Sequence, residues 1–221
     1  MRELGIKLAG VNNKLKFIKM NIDNINKELR SRSPKEIVEW ALLQAQKPIV
    51  TTNFRPYEGA ILHLVSTIES AINVVWCDTG YNTPNTYKHA EELIDQLNLK
   101  IDLYVPKQTT SHRDIVLGIP LVDDPKHELF TEQVKLEPFK RAMNNHQPDV
   151  WFTNLRKGQT AFRDSIDIVS QGKDGVLKVS PFYHWSDEEL DIYLKENSIP
   201  NEFKYFDPTK QLENRECGLH A

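Results

Sequence analysis

The chain has 221 residues, of which 39% are hydrophobic and 27% are charged, and its formal net charge is −3. These values are typical of a globular protein with a buried core, and they exclude a nucleic-acid coat and a polybasic membrane anchor. No apolar run approaches the ~20 residues of a membrane span, and the N-terminus has no signal-peptide pattern, so we expect a cytoplasmic, reducing location.

The first predicted elements are a helical arm with a weak apolar pattern and a helix with a clear start signal. Residues 1–32 are polar with scattered apolar positions, which indicates a helical arm. Ser33 and Glu36 then form a capping box with Pro34 at the first helical position, a pattern that starts a helix. Its apolar face predicts a helix that ends near Gln46.

A strand, a polar turn and a helix follow in immediate succession. Residues 49–52 are β-branched, 53–59 form the turn, and 60–65 are helical in pattern. In an open α/β sheet this junction lies at the carboxyl end of a strand, where hydroxyls and free N–H groups suit an anion such as phosphate. An ordinary strand-to-helix loop is the alternative. Walker and Rossmann glycine motifs are absent, so neither nucleotide site is supported.

The strand–helix alternation then repeats. Residues 71–76 read as a strand that ends before Asp78, 84–97 as a helix, and 101–105 as a third strand. Such repetition predicts an α/β fold with a mostly parallel sheet and helices on both faces. Residues 106–134 are irregular in pattern, and we predict either a mobile lid or a plain surface excursion.

Basic residues follow the predicted fourth strand, residues 149–153. Arg156, Lys157 and Arg163 crowd just beyond its end. Forked guanidinium donors bind two oxygens of a phosphate or sulfate at once, which favours an anion site there. A solvated charged face is the alternative.

The remaining chain contains a fifth predicted strand at 176–179 and a second capping box at Ser186. No regular element is evident from Ser198 to Cys217. We expect three parts: an N-terminal helical arm at 1–32, an α/β nucleotide-binding domain at 33–200, and a C-terminal catalytic tail at 201–221.

The last residues contain one of only two cysteines in the chain, Cys217, between Arg215 and His220. A thiol is nucleophilic as thiolate, and nearby cations favour that form. A frayed terminus with an incidental cysteine is the alternative. Two distant cysteines exclude a disulfide framework, and they cannot hold an iron–sulfur cluster, which takes about four thiolates. A redox role therefore needs an outside thiol.

Four stretches together resemble the phosphoadenylyl-sulfate (PAPS) reductases, the thioredoxin-dependent members of the sulfonucleotide reductase family. The resemblance covers roughly residues 35–221, and the terminal motif with the arginine segment is its specific part. The stretches are Thr51-Thr52-Asn53-Phe54 through Leu62-His63-Leu64, Asp78-Thr79-Gly80-Tyr81 with Pro84, Thr86 and Tyr87, Leu155-Arg156-Lys157 with Gln159 and Arg163, and Arg215-Glu216-Cys217-Gly218-Leu219-His220.

The resemblance implies an adenine-nucleotide α-hydrolase-like fold, related to the PP-loop ATP pyrophosphatases. It also implies reduction of PAPS to sulfite and adenosine 3',5'-bisphosphate through an S-sulfocysteine that thioredoxin, or glutaredoxin, resolves. No bound cofactor, metal or iron–sulfur cluster is implied, and the family tends toward homodimers. Neither nucleic acid nor membrane is an expected partner.

Residue roles follow from the same resemblance. Cys217 corresponds to the nucleophile, while His220 and Arg215 steady the thiolate or the sulfonate oxygens. The residues that correspond to substrate-binding positions come from the three other motifs: Thr51, Thr52, Asn53, Arg55, Asp78, Arg156, Lys157, Gln159 and Arg163.

The chain also departs from the family pattern. Asn53-Phe54-Arg55 stands where the family has Ser-Phe-Gly, so a glycine with easy access to positive φ is lost and Arg55 adds a cation. The segment before the tail is much shorter than is usual in the family. Cys77 lies where the family needs no cysteine, and we interpret it as a small buried apolar residue.

Three other functions stay open. An ATP-pyrophosphatase-type adenylating or sulfur-transfer enzyme has the same fold, although its Ser-Gly-Gly loop is absent here. A cluster-free reductase of adenylyl sulfate (APS) would differ only in recognition of the 3'-phosphate. The altered loop and short tail also fit a non-enzymatic nucleotide-binding or thioredoxin-docking module.

Overall fold

A computed structural model describes residues 20–172 and 175–210. Within them six strands form one sheet, in the order β3-β2-β1-β4-β6-β5. All neighbours are parallel except β5 and β6, which are antiparallel. The strands are β1 Pro48–Thr52, β2 Asn73–Cys77, β3 Lys100–Tyr104, β4 Val150–Phe152, β5 Val169–Gln171 and β6 Leu177–Val179.

Helices connect the parallel strands and cover the sheet. A π-helical turn at Glu132–Leu136 precedes one of them. In the described part of the chain the helices are α1 Ile22–Leu29, α2 Pro34–Gln44, α3 Glu58–Ile68, α4 Pro84–Leu97, α5 Thr110–Val116, α6 His127–Thr131, α7 Glu137–His146, α8 Ala161–Asp164 and α9 Asp187–Glu196. None of these helices is long and apolar enough to cross a membrane.

The core lies on both faces of the sheet, because parallel strands between two helical layers bury successive side chains on opposite sides. Val50, Val74 and Phe152 pack on one face with residues of α2, α3 and α4. Ile49 and its neighbours on β2 and β4 pack on the other face, where α7 contributes Ala142. This two-sided burial confirms the predicted α/β class and its mostly parallel sheet.

Local signals set the helix starts where the sequence predicts them. Both predicted capping boxes are present: Ser33 with Glu36 starts α2, and Ser186 with Glu189 starts α9. Each serine side chain accepts a hydrogen bond from the third helical N–H, and the glutamate accepts one in return from the serine backbone N–H. The two boxes satisfy backbone donors that a helix start otherwise leaves open.

The prediction of an irregular segment at 106–134 is wrong for much of its length. It contains α5, α6 and the beginning of the π-helical turn. Thr109 caps α5, and Arg113 is buried with its guanidinium on the Gln108 carbonyl and the Gln133 side chain. A helix that buries a charged residue lacks the apolar period on which the prediction depended.

The strand β5 was not predicted, and it explains how α1 attaches to the domain. Asn26 on α1 is buried, and its amide donates to the Val169 carbonyl at 2.9 Å and accepts from the Val169 N–H at 2.8 Å. The side chain therefore pairs with the free edge of β5 as another strand would, which protects the edge of the sheet.

Candidate functional site

A polar cleft opens at the carboxyl ends of β1 and β4, the two central strands. β1 pairs with β2 on one side and with β4 on the other, so the strand order changes direction between β1 and β4. Open α/β sheets bind ligands at such a point. The cleft encloses about 690 Å³, part of it open to solvent. Its lining residues are Thr51, Thr52, Asn53, Arg55, Glu58, Val75, Cys77, Lys135, Phe139, Trp151, Thr153, Asn154, Leu155, Arg163, Tyr205, Asp207 and Lys210.

The lining carries more positive than negative charge. Arg55, Lys135, Arg163 and Lys210 are its cations, against the carboxylates of Glu58 and Asp207, so the surplus is two positive charges. Cationic side chains in a partly closed cleft attract polyanions, because the surrounding protein screens their charge less than water does.

The loop between β1 and α3 is organised by the buried carboxylate of Glu58. It accepts hydrogen bonds from the Thr52 hydroxyl at 2.8 Å, the Asn53 N–H at 2.7 Å and the Arg55 Nε at 2.7 Å. Arg55 also reaches the Asn154 carbonyl at 3.4 Å. The predicted Thr51, Thr52, Asn53 and Arg55 all line the cleft.

The loop adopts positive φ without glycine. Phe54 has φ 53° and Tyr57 has φ 69°, a region that side chains with a Cβ avoid. Phe54 is buried edge-on against Trp76, with ring centroids 4.8 Å apart. Tyr57 donates its N–H to the Asn201 side chain at 2.9 Å. Tertiary contacts therefore hold the positive φ of Phe54 and Tyr57, whereas Arg55, at the position of the family glycine, does not have positive φ.

Asp78 has a different place from the residues of the β1–α3 loop. It is buried beyond the end of β2, outside the cleft lining, and accepts hydrogen bonds from the Gly80 N–H at 2.8 Å and the Tyr87 hydroxyl at 3.0 Å. Burial, together with the Asp78 charge, raises the pKa of Tyr87 to about 12. Asp78 thus organises the turn that leads into α4.

The arginine segment after β4 divides between two environments. Arg163 is buried and lines the cleft, and the side-chain oxygen of Gln159 accepts a hydrogen bond from its guanidinium. Arg156 is buried outside the lining, 2.5 Å from Asp187 and with its guanidinium 5.1 Å from the Tyr57 ring centroid. Lys157 is exposed. The structure therefore brings Arg163 to the predicted anion loop and directs Arg156 toward α9.

Lys135 and Asp207, which the sequence analysis did not select, also line the cleft. Lys135 lies in the π-helical turn, with its ammonium 2.5 Å from the Asp207 carboxylate and 3.3 Å from the Thr209 hydroxyl. Burial alone would raise the pKa of Asp207, but the charge and hydrogen bond of Lys135 and the hydrogen bonds of Thr209 together lower it below its usual value. π-helical turns occur frequently at functional sites. The run Val134–Pro138 was an available signal, but its link to Asp207 spans 72 positions.

Cys77 lines the cleft but is only 7% exposed, as the sequence interpretation expected. Burial raises the pKa of its thiol to about 12. The thiol is therefore neutral at physiological pH and is a poor nucleophile.

The predicted catalytic residues Arg215, Cys217 and His220 lie outside the described residues. The last described residue, Lys210, lines the cleft, and Cys217 follows seven residues later in the sequence. Among the described residues, no group of three or more His, Cys, Asp or Glu side chains is placed to hold a metal ion.

Comparison with known proteins gives consistent matches. The family model "Phosphoadenosine phosphosulfate reductase domain" matches residues 47–206. A phosphoadenosine 5'-phosphosulfate reductase of Aliivibrio salmonicida is 30% identical, over 91% of this chain and 88% of its own length. Another of Vibrio cholerae is 31% identical, over 82% of this chain and 72% of its own length.

A solved structure shows the same fold. The phosphoadenylyl-sulfate reductase of Candida auris, crystallised as a phosphate complex, superposes with a TM-score of 0.73 at 24% identity, covering 83% of this chain and 88% of that one. The predicted adenine-nucleotide α-hydrolase-like fold is thus confirmed.

Proposed function

The chain belongs to the phosphoadenosine phosphosulfate reductase family, and we propose that it reduces PAPS to sulfite and adenosine 3',5'-bisphosphate. The observation that carries the proposal is the cleft at the carboxyl edge of the sheet, where Arg163 and the β1–α3 loop line one space. Its surplus of positive charge matches a substrate with several anionic groups.

Phosphate or sulfate oxygens of the substrate would bind between the β1–α3 loop and Arg163. The Thr52 hydroxyl and the Asn53 N–H line the cleft but already donate to Glu58, so the Thr51 hydroxyl, which accepts from Trp151, is the donor that this loop would offer to the substrate. Gln159 orients the Arg163 guanidinium by accepting a hydrogen bond from it. The roles of Asp78, Arg156 and Lys157 are then indirect, because they lie outside the cleft lining.

The proposed chemistry uses the Cys217 thiolate. Its sulfur attacks the sulfur of the sulfate group, an S–S bond forms, and the S–O bond to the nucleotide breaks, so that the bisphosphate leaves with the electron pair. Arg215 and His220 would stabilise the thiolate or the sulfonate oxygens. A thiolate of thioredoxin then attacks the Cys217 sulfur, and sulfite leaves with the S–S electron pair.

The second thiol of thioredoxin would resolve the mixed disulfide and return Cys217 to the thiol. Two electrons pass from the dithiol to sulfur, which changes from the sulfate to the sulfite oxidation state. Glutaredoxin can supply the same dithiol. With only two cysteines the chain has no resolving CxxC pair and no thiolates for a cluster, so the reductant comes from outside.

The setting of the reaction follows from this chemistry. We propose a reducing, cytoplasmic location, because Cys217 must return to the thiol after every turnover. We also propose a homodimer, as the family resemblance implies. The division into an arm at 1–32, a nucleotide-binding domain at 33–200 and a catalytic tail at 201–221 assigns binding to the middle part and transfer to the last.

Sulfite release from PAPS, with reduced thioredoxin present, tests the proposal. Cys217→Ser should abolish release while bisphosphate affinity is kept, because the thiol attacks but does not hold the nucleotide. Cys77→Ser is the matched control and should keep full activity, since that thiol is buried and neutral. Full activity of Cys217→Ser would contradict the mechanism.

Two substitutes for PAPS test the other functions. Equal turnover of APS would show a reductase that does not read the 3'-phosphate. Release of pyrophosphate from ATP with magnesium, without sulfite from PAPS, would favour an adenylating enzyme. PAPS binding with no turnover of any kind would favour a binding module.

A further inference from the structure

A second cavity lies beside the π-helical turn, apart from the cleft. It encloses about 580 Å³, part of it open to solvent, and it shares no lining residue with the cleft. Arg113 is buried, whereas the other lining residues are half-buried or exposed, so Arg113 forms the inner end of the cavity. The lining consists of Lys107, Gln108, Arg113, Glu132, Gln133 and Glu137.

The Arg113 side chain is a buried cation whose partners, among the described residues, are all uncharged. It is 1% exposed, and its Nη2 donates to the Gln108 carbonyl at 2.9 Å and its Nε to the Gln133 side chain at 3.3 Å. Its Cζ lies 5.9 Å from the centre of the Tyr81 ring. The neighbouring Asp114 is exposed and accepts the Tyr81 hydroxyl instead. Nη1 is buried and has no hydrogen-bond partner in the described part of the chain.

Such a guanidinium is costly for the fold. Arginine stays protonated in proteins, and burial of a charge is unfavourable unless the charge is paired and its donors are hydrogen-bonded. A carbonyl and an amide oxygen offset only part of this cost. An oxyanion that enters the cavity would supply both the missing charge and the missing acceptor.

The carboxylates of the lining do not supply that charge, because other cations already bind them. Glu137 pairs with Arg141 at 3.0 Å and with Lys107 at 3.2 Å, and Glu132 pairs with Lys140 at 2.8 Å. With the guanidinium at the inner end, four cations face two carboxylates, a surplus of two positive charges. The surroundings of the cavity therefore favour an anion.

We propose that the second cavity binds a phosphate or sulfate group on the Arg113 guanidinium, as an anion site separate from the cleft. Nη1 offers two N–H donors to the oxygens of the ligand, and the Lys107 ammonium adds a charge at the mouth. Forked guanidinium donors suit tetrahedral oxyanions of this kind. The proposal does not depend on the proposed reaction, since neither PAPS nor Cys217 takes part.

Gln133 is the side chain that controls access to the guanidinium. It lines the cavity, and its hydrogen bond to the Arg113 Nε is long at 3.3 Å. An oxyanion is a stronger acceptor than an amide oxygen, so a ligand would replace Gln133 as that side chain rotates away. Shortening Gln133 should therefore ease binding rather than weaken it.

Urea denaturation with and without sulfate tests the site in the absence of substrate. Every protein carries Arg163→Ala, which removes a cation from the cleft, and sodium chloride keeps the ionic strength equal. A ligand that binds only the folded protein raises the unfolding midpoint, and the rise gives its dissociation constant. We expect protection by sulfate in this parent, and a dissociation constant about tenfold higher or more once Arg113→Met is added.

The same variant separates binding from a structural role of Arg113. Methionine fills a similar volume without charge, and replacement of an unpaired buried charge by an apolar side chain is often neutral or stabilising. In chloride alone, Arg113→Met should therefore unfold at an equal or higher urea concentration than its parent. A purely structural arginine would instead lower the midpoint equally in chloride and in sulfate.

Variants at the mouth of the cavity keep the test decisive if Arg113→Met folds poorly. Lys107→Gln removes a charge that is 76% exposed and should weaken sulfate binding about threefold. Gln133→Ala should leave the affinity equal or increase it. Lys126→Gln is the matched control, because this lysine is exposed and outside the lining, and it should change nothing.

An equal rise of the midpoint with and without Arg113→Met would show only the general stabilising effect of sulfate, and it would overturn the site. An unchanged affinity in Lys107→Gln would overturn it where Arg113→Met does not fold. Inorganic phosphate and glycerol phosphate should also protect the parent, and the stronger of the two identifies a free ion or an ester as the ligand. Stronger protection by acetate would contradict the ligand class.

Discussion

Two ion pairs that line the cleft each hold a cation against a buried carboxylate, but the chain forms them in different ways. Arg55 in the β1–α3 loop pairs with Glu58, three positions further on at the start of α3. Lys135 in the π-helical turn pairs with Asp207, 72 positions away in the segment 201–210. The first pair joins near neighbours in the sequence, whereas the second forms only where folding brings residues 201–210 against the π-helical turn.

The two pairs also differ in exposure. The Arg55 side chain is 25% exposed, whereas that of Lys135 is 4% exposed. Water screens the first pair and little of it reaches the second, so loss of one partner leaves very different penalties. We therefore expect the Arg55–Glu58 pair to contribute little to stability and the Lys135–Asp207 pair to contribute much, although both are ion pairs that line one cleft.

The largest expected effect comes from breaking the buried pair. Lys135→Met leaves the Asp207 carboxylate buried without its counter-ion, which should lower the free energy of unfolding by about 3–5 kcal/mol. Urea denaturation measures the change. A loss of unfolding free energy smaller than that of Arg55→Gln would show that the Lys135–Asp207 pair does not stabilise the fold.

The next effect compares two buried arginines of one segment. Arg163→Ala removes a cation that lines the cleft and should weaken bisphosphate binding by about 1.5–3 kcal/mol, the usual loss for a hydrogen bond to a charged group. Arg156→Ala is the matched control and should change the affinity far less, because its guanidinium contacts Asp187 and Tyr57. Calorimetric titration of both variants decides whether the cleft or the segment as a whole binds the anion.

A smaller effect is expected for the Arg55–Glu58 pair, in which the arginine is partly exposed. Arg55→Gln removes one donor to Glu58 but leaves those of Thr52 and Asn53, so the loop keeps its conformation. We expect stability to fall by about 0.5–1 kcal/mol, as for partly exposed ion pairs. A loss as large as that of Lys135→Met would mean that the two ion pairs contribute equally to stability.

The smallest expected effect is a pH dependence of the buried pair. Burial raises the pKa of Asp207 in the folded state, but Lys135 and the hydrogen bonds of Thr209 together lower it below its usual value. The unfolded chain therefore binds more protons, and the contribution of Asp207 is complete above the unfolded pKa of about 3.9 and is lost as pH falls through the folded value. The stability difference between wild type and Asp207→Asn should shrink below about pH 4. A difference that is constant from pH 7 to pH 3 would contradict the ionic account.

Much of the fold was predictable because its signals are local. Both capping boxes, the β-branched runs and the strand–helix alternation identify elements within a few residues of themselves, and the structure places these elements as expected. The segment 106–134 was mispredicted because short helices that bury Arg113 and His127 show no apolar period. Strand β5 has three residues and is too short to give a pattern.

The sequence by itself determined which chemical groups are present: the strand-end loop, the arginine segment, the family motifs and a cysteine between Arg215 and His220. Only the tertiary structure decided which of these residues line the cleft and which contact other parts of the fold. It placed Arg163 in the cleft and Arg156 outside it, made Asp78 a turn-organising residue, and brought Lys135 to Asp207. The physical reason is that the direction and charge environment of a side chain depend on partners distant along the chain, which folding alone brings into contact.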